Sequence, residues 1–144
     1  MADTKLLTPA ELQNLAEQKQ MAKVQAEFNR VKEQEQEQKA LHEAFMGRDI
    51  HPQVMERVNA AVRRAAEDGL HEIRVLTFPA SYCNDGGRRI NNAEPDWPDS
   101  LEGFAKKCVE FYQKELKPLG FKVRAEILTF PGGMPGDVGL FLCW

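Results

Sequence analysis

A long segment without helix breakers constrains this chain more than any other feature. After Pro9, the residues up to Met46 include no proline or glycine and are rich in Ala, Glu, Gln, Lys and Leu, which favour helix. Thr8 and Glu11 have the spacing of a capping box at its start, and Gly47 is a suitable C-terminal cap. The sequence therefore predicts one helix on the order of 55 Å long, at about 1.5 Å per residue.

The apolar residues of this helix are unevenly distributed. Four of them follow the alternating 3 and 4 spacing of a coiled-coil seam, namely Met21, Val24, Phe28 and Val31. Residues 33–38 are only Glu and Gln, so they cannot lie against a core. We predict that residues 1–48 form an extended helix that self-associates or docks onto another protein through this seam. A solvated helix or a disordered tail without a specific partner is the alternative interpretation.

Residues 49–144 combine helical and strand patterns and predict a small α/β domain of the α+β kind. Helical spacing covers about 52–68 and ends at Gly69, and a second helical pattern begins at Asp99 or Ser100 and stops at Pro118. β-Branched and aromatic residues predict strands over 72–78, 121–130 and 138–144. The turn sequence at 84–87 predicts a small hairpin with Tyr82 and Ile90 on its two sides.

The sequence Leu-Thr-Phe-Pro occurs twice, at 76–79 and at 128–131, each time at the end of a helix and strand pair. Two such units predict parallel neighbouring strands joined by a right-handed crossover helix, with the last strand antiparallel. The predicted order is α-α-β-α-β-β, which gives a two-layer domain with a three-stranded mixed sheet and two helices on one face. Duplication and coincidence are both open explanations of the repeat.

Composition and charge disfavour several classes of function. The net charge is −3, with seven basic and eight acidic side chains in residues 1–48 and twelve and fourteen in residues 49–144, so no basic arm indicates nucleic-acid binding. No apolar run approaches the roughly 18 to 20 residues that span a bilayer, and residues 1–12 lack the pattern of a secretion signal. The odd number of widely spaced cysteines predicts a soluble protein of a reducing compartment, the cytoplasm.

The expected ends of the two parallel strands define a candidate site. Ligands bind outside the carboxyl ends of parallel strands, so the segments 81–89 and 131–137 are expected to meet there. Asp85, Arg88 and Arg89, beside glycine amides of the second segment, predict a site for a small anionic ligand. A surface turn requires the same residue types, so the alternative interpretation is an ordinary turn that binds no ligand.

Cys83 and Trp97 are two further candidates. Cys83 precedes two arginines that would favour its thiolate, which makes it a candidate nucleophile, although no histidine base is well placed for it. Trp97, flanked by prolines, is either a partner anchor or part of the core. The sequence predicts no metal site and no cofactor, because the ligand spacings that hold a metal are missing.

The function favoured by the sequence is that of a non-enzymatic assembly or protein-interaction protein, which oligomerises or docks through its first helix. The exposed apolar seam carries this hypothesis. The alternative is a small anion-binding, ligand-binding or enzymatic domain with its site around residues 81–89 and 131–137.

Overall fold

The computed structural model describes residues 5–144; the first four residues of the segment tested for a secretion signal lie outside this range. Within the described residues, a long helix precedes a small mixed domain of helices and strands, which confirms the predicted fold class. The helices are α1 (Pro9–Gly47), α2 (Val54–Glu67), α3 (Arg88–Asn91) and α4 (Gly103–Phe111). The strands are β1 (Glu72–Pro79), β2 (Lys122–Ile127) and β3 (Asp137–Cys143).

The first helix begins with the predicted capping box. The backbone N–H of Glu11 donates to the hydroxyl of Thr8 (3.2 Å), and the N–H of Thr8 donates to the Glu11 carboxylate (2.9 Å). The chain divides into two compact units between Leu41 and His42, about two helical turns before the division predicted at residue 48. Residues 42–47 of α1, almost two turns, therefore belong to the second unit.

The sheet of the second unit differs from the predicted mixed sheet. Its order is β1-β3-β2, and β3 is antiparallel to both neighbours, so β1 and β2 run in the same direction without touching. The prediction that β1 and β2 are parallel neighbours was wrong. The most buried strand is β3, through Val138, Leu140 and Leu142. The central position of a sheet removes the most apolar surface from water, so it stabilises such a strand most.

The repeated Leu-Thr-Phe-Pro does not occupy equivalent positions in the sheet. Phe78 of the first copy lies opposite Val138 in the β1–β3 ladder, whereas Ile127 lies opposite Val138 in the β2–β3 ladder. Phe130 of the second copy lies beyond the end of β2 and is about half exposed. The two strands flank β3 symmetrically, but the repeat is not the cause of that symmetry.

The core lies between one face of the sheet and the helices that cover it. Ile90 of α3 and Ala105 and Val109 of α4 join the buried cluster that contains Val138 and Leu140. On the other face, the guanidinium of Arg124 lies 4.1 Å above the ring of Phe141 and pairs with Glu72 (2.8 Å) and Glu126 (2.8 Å). The domain therefore has two layers, with its helices on one side.

The helix predicted from Asp99 or Ser100 to Pro118 is broken into shorter pieces. Residues Trp97–Ser100 form a 3-10 turn, and the hydroxyl of Ser100 donates to the Trp97 carbonyl (2.6 Å) instead of capping α4. At the other end, α4 passes into a π-helical turn (Tyr112–Leu116) and a 3-10 turn (Lys117–Leu119). Pro118 has no N–H to donate to the preceding turn, so regular α-helix cannot continue there.

Gly103 allows the end of α1 to approach the start of α4. Its φ of +59° is in the left-handed region, and a Cβ at this position would lie 2.7 Å from Cα of Met46 and 3.1 Å from the Phe45 carbonyl oxygen. Next to this contact, the ring of Phe45 packs against Phe78, with 5.5 Å between the ring centroids. The last turn of α1 thus packs against the core.

Candidate functional site

The structure brings together the two segments that the sequence placed at one end of the sheet. Pro79 pairs with Asp137, and the N–H of Ala80 donates to the carbonyl of Gly136 (2.7 Å). Within the two segments, a Cβ at Gly87 would lie 3.6 Å from Cβ of Pro135. The two segments meet because β1 ends where β3 begins, and not because two parallel strands end side by side.

Asp85 organises the first of these segments. The N–H groups of Gly87 and Arg89 donate to its two carboxylate oxygens (2.9 and 3.0 Å), and α3 follows where a hairpin between Tyr82 and Ile90 was predicted. The hairpin prediction was wrong because the Asp85 side chain satisfies the amides that begin a helix. Partial burial acts to raise the pKa of Asp85, but these hydrogen bonds and the charges of Arg89 and Arg88 hold that pKa below its ordinary value.

The two candidate arginines have different surroundings. Nε of Arg89 lies 3.5 Å from the Asp96 carboxylate and 3.9 Å from that of Asp85, whereas Arg88 is exposed. An external anion would need the backbone amides of Gly87 and Arg89 and the guanidinium of Arg89. The Asp85 carboxylate already accepts from both amides, and Asp85 and Asp96 already pair with the guanidinium. This arrangement is what a self-contained turn requires, and the anion site stays a prediction.

Cys83 lies inside the core rather than on a polar loop, with 6% of its surface exposed. Burial raises the pKa of its thiol to about 11, and the negative charge of Asp85 contributes in the same direction. The thiolate that nucleophilic catalysis needs is therefore disfavoured at neutral pH. Its backbone neighbour Asn84 donates from its N–H to the Ser100 carbonyl (2.8 Å), which ties this turn to the turn at Trp97–Ser100.

Trp97 is half-buried and packs against the buried cluster of the domain. Its N–H donates to the Glu94 carbonyl (3.1 Å), and its carbonyl accepts from Ser100. Trp97 thus packs against the core in this structure, and its role as a partner anchor stays a prediction.

The seam of the first helix, Met21, Val24, Phe28 and Val31, is exposed along its whole length. The exposed fractions of these residues are 71%, 60%, 61% and 41%, and α1 has no buried residue. Four large apolar side chains in contact with water on one helix are the feature expected of an unpaired association surface.

A cavity of about 660 Å³ lies between α2 and the sheet, and no pattern in the sequence predicts it. Its walls include Val58 of α2, Val75 and Leu140 of the sheet, and Tyr112 and Leu116 of the π-helical turn. Arg48, His51 and Arg57 also line it. Hydrophobic periodicity predicts which residues lie on the apolar face of a helix or strand, but it does not show how far apart two such faces lie.

No protein-family model matches the chain, and neither does any curated protein or solved structure with which it was compared. Within residues 5–144, every helix is too short or too polar to cross a membrane.

Proposed function

We propose that this protein is a non-enzymatic assembly protein whose first helix pairs with the same helix of a second copy. The observation that carries the proposal is the exposed seam on α1. The four side chains fall at positions a and d of two consecutive heptads, with Met21 and Phe28 at a and Val24 and Val31 at d. Pairing would remove these apolar side chains from water, which is the main favourable contribution to association.

Charges beside the seam favour a parallel pair in register. Glu27 is at position g and Lys32 at position e of the following heptad, and these two positions face each other across a parallel dimer. Antiparallel pairing would place g opposite g and e opposite e, so Glu27 and Lys32 would not face each other. Within one helix, the Glu27 carboxylate contacts the guanidinium of Arg30. Glu27 therefore has Arg30 as a cationic partner in both the monomer and the dimer.

The seam extends over two heptads only, and residues 33–38 beyond it are polar. Coiled coils of this length are marginal, so we expect a dimer that dissociates on dilution. The three cysteines are free, which supports the further proposal of a reducing compartment, the cytoplasm, for this assembly.

Light scattering coupled to size exclusion tests the proposal on the full chain. We expect the mass to rise towards that of a dimer with concentration, and Phe28→Glu to abolish the rise because it places a charge within the seam. Leu15→Glu is the matched control: Leu15 is also about half exposed on α1 but lies outside positions a and d. A wild-type chain that stays monomeric at all concentrations, or a dimer insensitive to Phe28→Glu, would contradict the proposal.

The orientation has a separate test. Glu27→Lys should weaken the dimer, because it places two cations opposite each other, and Glu27→Lys combined with Lys32→Glu should restore it. If the double variant remains as weak as the single variant, the parallel register is wrong even if the dimer exists.

A further inference from the structure

The cavity beneath α2 has an apolar interior and a polar edge. Leu140 and Leu142 of β3 form its floor, and Val109 and Leu116 form one wall. Its volume of about 660 Å³ is within the range of sites for small molecules.

Two backbone irregularities adjoin the cavity. The β1–β3 register shifts between Arg74 and Leu76, which makes Val75 the extra residue of a β-bulge. Val75 and its neighbours Leu76 and Thr77 all line the cavity. The opposite wall contains the π-helical turn that begins at Tyr112. Bulges and π-turns both occur preferentially at binding and active sites.

The edge of the cavity carries two hydrogen-bond donors that face each other. The N–H of Gln53 donates to Nδ1 of His51 (3.0 Å), so the hydrogen of the neutral ring must be on Nε2. Nη2 of Arg57 lies 3.2 Å from that Nε2. Arginine has no acceptor, so this contact joins two donors and neither satisfies the other. An anionic oxygen beside them would accept from both.

The remaining charges at the cavity also favour an anion. Asp49 is already held by Lys107, whose Nζ donates to its carboxylate (2.6 Å) and to the Arg48 carbonyl (2.9 Å). Arg48 itself lies 4.0 Å above the ring of Phe104. Among residues 5–144, neither Arg48 nor Arg57 has a carboxylate partner.

We propose that this cavity binds an amphiphile with a single carboxylate head and a linear apolar body. The head accepts hydrogen bonds from His51 Nε2 and Arg57, and the body lies on Leu140 and Leu142 beneath α2. This site lies wholly within the second unit, so the proposal does not depend on pairing of α1.

Calorimetric titration of the full chain with three probes separates the contributions of head and body. We expect decanoate to bind at one site per chain. Decyltrimethylammonium has a similar chain with the opposite charge, and acetate has the head without the chain; both should bind about tenfold more weakly or worse. If decanoate does not bind, or if either control binds equally well, the proposal is overturned.

Variants of α2 then locate the site. Arg57→Gln should weaken decanoate binding by about tenfold or more, because it removes a charged donor. Arg63→Gln removes the same charge from an exposed position of the same helix and should leave binding unchanged. Equal effects of the two substitutions would overturn the assignment of Arg57.

Filling the cavity gives an independent check. Val58 is half-buried and lines the cavity, so Val58→Trp should abolish decanoate binding, whereas Ala61→Trp on the exposed side of α2 should not. Wild-type affinity in a folded Val58→Trp protein would place decanoate elsewhere and overturn the proposal. If Val58→Trp does not fold, the comparison of Arg57 with Arg63 decides the question.

Discussion

Helices α4 and α2 cover the same face of the sheet and are similarly amphipathic, but they are packed differently. On α4, Phe104, Ala105 and Val109 are buried, whereas on α2 only Ala65 is, among the residues that the structure describes. The apolar residues of α2 are as regularly spaced as those of α4, yet a cavity lies between the N-terminal half of this helix and the sheet. An amphipathic pattern therefore shows which face of a helix is apolar but not how closely that face is packed.

The largest effect is expected at Gly103, where the closely packed helix α4 begins. Gly103→Ala places a Cβ 2.7 Å from the Met46 backbone at a φ that alanine rarely adopts, and we expect it to lower the free energy of unfolding by about 3 kcal/mol. Gly47→Ala is the control, because a Cβ there has no heavy atom within 4 Å. Urea denaturation measures both, and a Gly103→Ala protein as stable as the control would show that the contact between α1 and α4 is not tight.

A matched pair of valines compares the closely packed core with the edge of the cavity. Val138 is fully buried in β3, and Val138→Ala should cost about 2 kcal/mol, which combines the lost burial with a new void. Val58 borders the cavity, and Val58→Ala should cost less than about 1 kcal/mol because little packing is lost. If thermal or urea denaturation gives the two substitutions equal costs, α2 is as closely packed as the rest and the contrast is wrong.

An effect smaller than that of Gly103→Ala or Val138→Ala is expected at Asp85, which stabilises the start of α3. Asp85→Ala should cost about 1 kcal/mol at neutral pH, since it leaves the N–H groups of Gly87 and Arg89 without their acceptor. The pKa of Asp85 is lowered in the folded protein. Its contribution is therefore fully present above the ordinary aspartate pKa of about 3.9 and is lost as pH falls through the lower folded pKa.

The difference in stability between the wild type and Asp85→Ala should accordingly shrink below about pH 4. Asp99→Ala is a suitable control, because Asp99 is exposed and accepts from Asn84 through its backbone carbonyl, not through its carboxylate. A difference that stays constant down to acid pH would argue against the carboxylate as the stabilising group.

Local signals in the sequence predicted local structure well. The capping box at Thr8 and the end of α2 at Gly69 follow from residues within one turn of each other, and both are present. The order of the strands does not follow from neighbouring residues in this way. It depends on whether pairing of β1 with β2 or with β3 gives the lower free energy. That choice is decided by the burial of Val138, Leu140 and Leu142 in three dimensions.

The candidate site was predicted in part for the same reason. The sequence placed residues 81–89 near 131–137, and the structure does so as well. It did not show that Asp85 would occupy the backbone amides, because a turn and a helix start use the same residue types. The donor pair of His51 and Arg57 depends on which ring nitrogen of His51 accepts the hydrogen bond from the Gln53 N–H. This is a detail of side-chain geometry that residue spacing cannot reveal.

The central position of β3 has a consequence for the order in which the sheet folds. β2 and β3 are joined by a short connection, so their hairpin forms from local contacts. β1 has no partner until β3 is available, and its pairing joins Glu72 to Cys143 across most of the domain. Closing so long a loop is slow, so we expect docking of β1 to limit the folding rate, and during synthesis this strand would wait unpaired until β3 is made.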